Sequence, residues 1–252
     1  MTADRVGQEW VDNMPLDAAA AKEREEIFRS LLPELRHDIN SPFSVVDSTF
    51  SNFLHTLELL KTSLQTDGFG LDDEEDGQDR DADLHYMVDN LPRLIVAARE
   101  RAGEVKATAE AMIQLIGESG TSPERLDISY PAALNLLRGF LKHRVAVTRG
   151  DLPAGTFLVS RHVLHVLIVV FMRAADGAAP GAEMQISWSC TQNELRCEVR
   201  CEGSFQESAF STGVKVDVAK RLLAASGGAM EIWEDSGQRT YRIQFPIKEG
   251  YV

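Results

Sequence analysis

The chain has 252 residues, of which 44% are hydrophobic and 26% charged, the composition of a globular protein with room for two modest domains. Its formal net charge of −13 at pH 7 argues against nucleic acid or anionic lipid as a partner, because both bind clustered lysine and arginine. No apolar run reaches the roughly 18 residues of a membrane-spanning helix. Residues 1–20 lack the apolar stretch of a secretory signal, so we expect a cytoplasmic protein with no membrane partner.

The first half of the chain predicts two long helices. Apolar side chains recur in alternating steps of four and three from Phe28 to Leu64 and again from Leu84 to Ile116, the heptad spacing of a helix with one packed seam. The acidic segment 66–83 between them predicts a solvated connection. Two such helices form an antiparallel hairpin, and we expect a homodimer in which two hairpins pair as a four-helix bundle. The alternative is that the second half of the same chain covers the seam.

The second half of the chain mixes strand and helix patterns. Strands are predicted at 127–129, 156–159, 184–190, 195–201, 230–233 and 240–245, and helices at 131–143, from the cap Ser160 to about 175, and at 214–225. The predicted fold class is therefore α+β: a long helical hairpin followed by an α/β sandwich of one sheet and one helical layer. The corresponding domain division is a tail at 1–20, the hairpin at 21–120 and the sandwich at 121–252.

Three cysteines lie in these predicted strands, namely Cys190, Cys197 and Cys201. Their number is odd, and no histidine is interleaved at the spacing of a metal site. We therefore expect buried, reduced thiols and no metal bound by the chain.

One histidine stands apart from the seam of the first helix. His37 lies between the seam residues Leu35 and Ile39, so it faces the opposite, solvent side. The small residues of a serine strip follow on that side: Ser41, Ser44 and Ser48. Small side chains leave the imidazole open to a large partner, where a solvated helix face usually carries lysine and glutamate.

The residues next to His37 favour chemistry over a plain surface position. Asp38 supplies a carboxylate that can hold one ring N–H or accept a proton, which phosphoryl transfer to a neutral imidazole requires. Pro42 removes a backbone hydrogen bond inside the helix at a cost of about 3 kcal/mol. Such a cost beside an exposed His-Asp pair indicates a functional segment.

The run Arg36-His37-Asp38-Ile39-Asn40-Ser41-Pro42-Phe43 resembles the H-box of bacterial sensor histidine kinases. In that box a histidine is followed by an acid and, four residues further on, by a proline. The resemblance implies that the hairpin is a dimerisation and histidine phosphotransfer domain. It continues into a C-terminal half that resembles the ATP-binding domain of these kinases, at the N-box helix (161–178), the last glycine box with its helix (213–228) and the closing strand (240–246).

Two boxes of the nucleotide site depart from the family pattern. The asparagines that hold magnesium in the family correspond to Val169 and Arg173, neither of which can ligate the ion. The aspartate that binds the adenine amino group corresponds to Cys201, and Gly203 is the one glycine of that box that remains.

The phosphate loop departs as well. The Gly-x-Gly pair of the family reads Gly213-Val214-Lys215, so a long side chain fills the place of the second glycine. The metal ligands, the base contact and the phosphate loop are thus all altered, and we expect that the chain binds no ATP and no cofactor of its own.

By this resemblance the chain is a histidine phosphotransfer protein. His37 would exchange a phosphoryl group with receiver-domain aspartates, with Asp38 orienting or deprotonating it and Ser41 a candidate for positioning a water. Ser44, Ser48 and Pro42 would belong to the docking surface for the receiver, which would bring the magnesium. A hybrid histidine kinase is a further candidate partner.

Two other functions remain open at the level of sequence. A pseudo-histidine-kinase would dock regulators or kinases without transfer, and a divergent active histidine kinase would label itself from ATP. The sequence does not assign the direction of phosphoryl flow or the partner regulators.

Overall fold

A computed structural model describes residues 15–66, 74–116, 123–160, 162–191, 194–203 and 214–247; the side chains of 61–66, 74–85, 87 and 88 lie outside this description. The chain divides into a helical unit, Arg36–Ala107, and a sheet unit, formed by the residues up to Leu35 together with Thr108–Val252. Two long helices, α1 (Leu16–Thr66) and α2 (Glu74–Ile116), contribute residues to both units. None of the described helices is long and apolar enough to cross a membrane.

Two heptad rows run side by side along α1 in the helical unit. The buried row is made of small side chains, Pro42, Thr49 and Thr56. The exposed row is made of large apolar side chains, Phe43, Phe50 and Leu57. The hydroxyls of the two threonines donate to α1's own carbonyls at 2.8 Å, so they can be buried without polar groups from another element. Three large side chains of the predicted seam, Phe43, Phe50 and Leu57, are therefore exposed to solvent in the single chain.

The start of α2 differs from the prediction. The acidic segment 66–83 is predicted to be a solvated connection, but α2 begins at Glu74, so the prediction is wrong for residues 74–83. Acidic residues in the first turns of a helix are favoured by its dipole, which offsets the low apolar content of this segment. Residues 67–73 lie outside the described part of the chain.

Among its described residues, the sheet unit contains a five-stranded sheet, a two-stranded sheet and four further helices. In chain order the elements are β1 (Glu124–Arg125), α3 (Leu126–Leu136), α4 (Arg138–Lys142), β2 (Ala146–Arg149), β3 (Leu158–Val159), α5 (Val163–Asp176), β4 (Glu183–Cys190), β5 (Glu194–Glu202), α6 (Val216–Ala225), β6 (Ala229–Asp235) and β7 (Gln238–Pro246). The order in the large sheet is β2-β4-β5-β7-β6, with β2 parallel to β4 and the other neighbours antiparallel. β1 and β3 pair antiparallel.

The core lies between one face of the large sheet and the helices. Alternate residues of β5 are fully buried, namely Leu195, Cys197, Val199 and Cys201. α5 packs against this face and is buried at every residue from Val163 to Met172, which explains why this stretch is apolar at every position except His165. The predicted α+β class, with a helical first half and a sheet covered by one helical layer, is confirmed.

Three local predictions need correction. Residues 127–129 are predicted as a strand but lie in α3, because Leu126, Tyr130 and Ala133 recur at helical spacing and all three are buried. The strands β1 and β2 are absent from the prediction. Cys190 is exposed at the end of β4, whereas Cys197 and Cys201 are buried as expected.

Candidate functional site

His37 is on the solvent side of α1, as its position between seam residues predicts. Its side chain is 79% exposed, and its Nδ1 lies 3.5 Å from Oδ1 of Asp38, at the long end of a hydrogen bond. The Asp38 side chain is 29% exposed, so it is the more sheltered member of the pair. A carboxylate at Nδ1 favours the tautomer with its hydrogen there, which leaves the lone pair on Nε2.

The serine strip continues this face. Ser41, Ser44 and Ser48 are all exposed. The hydroxyl of Ser44 donates to the carbonyl of Asn40 at 3.1 Å, and that of Ser48 donates to the carbonyl of Val45 at 3.0 Å. Both hydroxyl hydrogens are thus used within the helix. Ser44 and Ser48 therefore offer a partner small side chains and hydroxyl oxygens that can accept hydrogen bonds.

Pro42 does not belong to the docking surface on which the sequence places it. Pro42 is buried. Five residues after His37, a side chain is rotated by about 140° around the helix axis, so Pro42 faces away from the histidine. The helix continues through Pro42. Because proline has no backbone N–H, the carbonyl of Asp38 lacks its usual helical hydrogen bond, and Asp38 is the residue next to His37.

The two positions that the resemblance aligns with the family's magnesium-binding asparagines lie on α5. Val169 is fully buried in the apolar core, and Arg173 is half-buried one turn further on. A buried valine offers no oxygen to a cation, and the guanidinium of Arg173 repels one. The side chains present at these two positions therefore do not fit a magnesium ion.

Packing accounts for two of the residues in the other boxes, Cys201 and Gly203. Cys201 is fully buried on the inner face of β5. A Cβ on Gly203 would stand 2.1 Å from the carbonyl oxygen of Gly177, so only glycine fits where β5 passes the segment after α5. Lys215 is exposed at the N-cap position of α6 without a side-chain capping hydrogen bond, and Gly213 lies outside the described residues.

A buried pair near these positions is absent from the sequence analysis. Oε2 of Glu23 on α1 lies 2.6 Å from Nε2 of His165 on α5, with both side chains less than 5% exposed. The backbone N–H of Lys215 also donates to Glu23. Burial raises the pKa of the Glu23 carboxyl, and the hydrogen bond and charge of His165 oppose that rise. The interruption of the apolar run by His165 is the one sequence signal for this pair.

The chain is similar to solved structures of histidine kinases, the family indicated by its motifs. The Acinetobacter baumannii histidine kinase AdeS is 13% identical with a TM-score of 0.44, over 84% of this chain and 98% of that one. The histidine kinase ThkA in complex with the response regulator protein TrrA is 14% identical with a TM-score of 0.43, over 90% of this chain and 64% of that one. A bacterial phosphotransferase is 13% identical with a TM-score of 0.41, over 86% of this chain and 95% of that one.

No protein-family model and no curated protein matches the chain. At the identities and TM-scores of the solved structures, no residue role and no activity passes from them to this chain.

Proposed function

We propose that the chain is a histidine phosphotransfer protein of a two-component phosphorelay. In this function His37 accepts a phosphoryl group from the aspartyl phosphate of one receiver domain and passes it to the aspartate of another. The observation that supports this proposal is the His37–Asp38 pair: an imidazole 79% exposed, with a carboxylate 3.5 Å from its Nδ1, above a strip of small serines.

The transfer step follows from the tautomer that Asp38 favours. The lone pair on Nε2 of His37 attacks phosphorus, an N–P bond forms, and the P–O bond to the donor aspartate breaks with its electrons leaving on the carboxylate. The ring gains positive charge as the bond forms, and the Asp38 carboxylate stabilises that charge or takes the Nδ1 proton. Magnesium at the phosphoryl group belongs to the receiver.

The serine strip fits this step because a receiver is a folded domain that must approach closely. Ser44 and Ser48 keep their hydroxyl hydrogens on the helix backbone, so a partner that covers them leaves no buried donor unpaired. Ser41, one turn after His37, is the residue of the strip placed to hold a water for hydrolysis of a phosphoryl group.

The altered nucleotide boxes support a phosphoryl source other than ATP. Val169 and Arg173 do not fit magnesium, and Cys201 is a buried thiol where the family has a carboxylate. The buried Glu23–His165 pair, bonded to the backbone of Lys215, adds a carboxylate beside the former phosphate loop.

We further propose that the protein works as a homodimer through the helical unit. An apolar groove of about 360 Å³ runs between α1 and α2 and is lined by Val46, Thr49, Phe50, Phe53, Ile95, Ala98, Arg99 and Ala102. Phe50 of this lining belongs to the exposed heptad row, in which Phe43, Phe50 and Leu57 are 56%, 62% and 45% exposed. A row of this kind is covered when a second copy pairs as a four-helix bundle.

The decisive experiment is a transfer assay with a receiver domain carrying labelled aspartyl phosphate. We expect label on the wild-type chain, none on His37→Ala, and a reduced rate on Asp38→Asn. The matched control is His55→Ala, which removes another exposed histidine of the same helix and keeps full transfer.

The same assay separates the two other functions. Labelling of wild type by ATP alone at His37 would establish an active histidine kinase and contradict the proposal. A chain that binds receivers tightly and never takes label would be an interaction protein. The proposal also fails if His37→Ala and wild type take equal label.

A further inference from the structure

A basic segment lies on the sheet unit, in contrast to the acidic character of the whole chain. Residues 138–149 hold four basic residues and no aspartate or glutamate: Arg138, Lys142, Arg144 and Arg149. The formal net charge of the chain is −13. Arg144 is already paired with the Glu34 carboxylate at 3.7 Å, so the charge that attracts acidic groups of a partner comes from the rest of the segment.

Three of these cations line one open pocket of about 390 Å³. Its other lining residues are Leu134, Asn135, Leu141, Val145 and Val147, and the eight together include no carboxylate. Arg138 and Lys142 are one turn apart on α4 and so point to the same side. Arg138 donates to the neutral amide oxygen of Asn135 at 3.1 Å.

The remaining wall of the pocket is the edge strand β2. Val145, Val147 and Arg149 alternate along the chain, so their side chains share the face of the strand that looks into the pocket. β2 is the first strand of the large sheet and pairs with β4 alone among the described strands. Its other edge is therefore open among the described strands.

The register of β2 shows which backbone groups that edge presents. The N–H of Ala146 donates to Ala182 at 3.1 Å, and the N–H of Gly150 donates to Ile186 at 2.7 Å, so the even-numbered residues bond to β4. In a strand the N–H and C=O groups of successive residues point to opposite sides. Val147 and Arg149 consequently direct their main-chain groups to the open edge.

We propose that this edge binds an extended acidic peptide segment of a partner protein by strand addition. The backbone of Val147 and Arg149 pairs with the peptide, and alternate side chains of the peptide enter the pocket. Two acidic side chains meet Lys142, Arg138 and Arg149, and an aliphatic side chain between them contacts the apolar floor formed by Leu141 and Val147. This interaction is independent of the transfer chemistry at His37.

A fluorescein-labelled peptide TETVTET, with glutamates and valine on one face of a strand, is the probe. We expect saturable binding to the full chain, measured by fluorescence anisotropy at low salt and weakened as salt rises. Lys142→Glu and Arg149→Glu each weaken it about fivefold, as expected for loss of partly exposed charge pairs. Lys22→Glu, which makes the same charge change at an exposed site of α1, leaves binding unchanged.

Two further peptides separate strand addition from simple charge attraction. TKTVTKT reverses the charge and binds at least tenfold more weakly. TETVTET with N-methyl groups on its three central residues keeps every charge and loses the backbone donors, so it also fails to bind. Equal binding of the methylated peptide overturns strand addition.

The absence of binding by TETVTET overturns the proposal as a whole. Arg149 is then a charge that prevents the edge strand from pairing with other chains. Equal binding by wild type, Lys142→Glu and Arg149→Glu overturns the assignment to this pocket, and thermal unfolding of each variant confirms that it is folded.

Discussion

Glu23 and His165, which lie in different halves of the sequence, meet in the sheet unit as a buried pair with Oε2 and Nε2 2.6 Å apart. Around them Ala19 and Ala20 pack with Val218 and Leu222 in a small apolar cluster. The N-terminal part of α1 is thereby fixed to α5 and α6 by the polar contacts of Glu23 with His165 and the backbone of Lys215, and by a patch of apolar side chains. A charge buried in such a place is retained only when its partner is also present.

The pair predicts a pH-dependent difference between wild type and Glu23→Gln. Burial raises the pKa of the Glu23 carboxyl, so its contribution to stability is complete below its unfolded pKa and is lost as the pH rises through the folded value. Glutamine keeps a polar contact with His165 and does not titrate. We expect the stability of Glu23→Gln relative to wild type to increase from pH 5 to pH 8, measured by urea unfolding.

Glu23→Ala is the control for the contact itself. It leaves Nε2 of His165 buried without its carboxylate, and we expect a loss of about 2 kcal/mol. A difference between Glu23→Gln and wild type that stays constant across the pH range would contradict the raised pKa.

The exposed heptad row predicts a variant that separates the dimer. Phe50→Glu places a charge in the apolar row, where burial against a second copy is costly, so we expect a monomer by analytical ultracentrifugation at concentrations where wild type is dimeric. Asn52→Glu adds the same charge at an exposed position on another side of α1 and leaves the dimer intact. A monomeric wild type at all concentrations would refute the four-helix bundle.

Two glycines predict opposite effects of the same substitution. Gly203→Ala sets a Cβ 2.1 Å from the carbonyl oxygen of Gly177 and 2.7 Å from the nitrogen of Ala179, so we expect a loss of about 3 kcal/mol or more. Gly103→Ala lies inside α2 with no atom within 4 Å of the new Cβ, and we expect a gain of about 0.5–1 kcal/mol. Urea unfolding measures both. Tolerance of Gly203→Ala would show that the segment after α5 is free to shift.

The three cysteines predict one reactive thiol in the native protein. Cys190 is exposed, whereas burial raises the pKa of Cys201 to about 11 and that of Cys197 further still. A thiolate is the reactive form, so at pH 8 a thiol reagent modifies Cys190 first and the other two only on unfolding. Cys190→Ser should therefore abolish the fast phase of labelling. Fast labelling of Cys190→Ser would mean that the inner face of β5 opens readily.

The sequence by itself determined the helical first half, the mixed second half and the exposure of His37. These features follow from local periodicity, because a residue's place between Leu35 and Ile39 decides its side of a helix before any tertiary contact forms. The strands β4 to β7 are similarly marked by alternation and by the turn at 235–237. The same reasoning would have excluded Pro42 from the docking surface, because its angle of about 140° from His37 around the helix axis also follows from local spacing.

Only the tertiary structure decided which heptad row is buried and which is open. Both rows have the same period. Which row is buried depends on whether the threonines or the phenylalanines pack better within one chain. It also decided that Glu23 meets His165, and that Gly203 is required by a close backbone approach. These contacts join residues far apart in sequence, and their energies depend on burial, which no local pattern records.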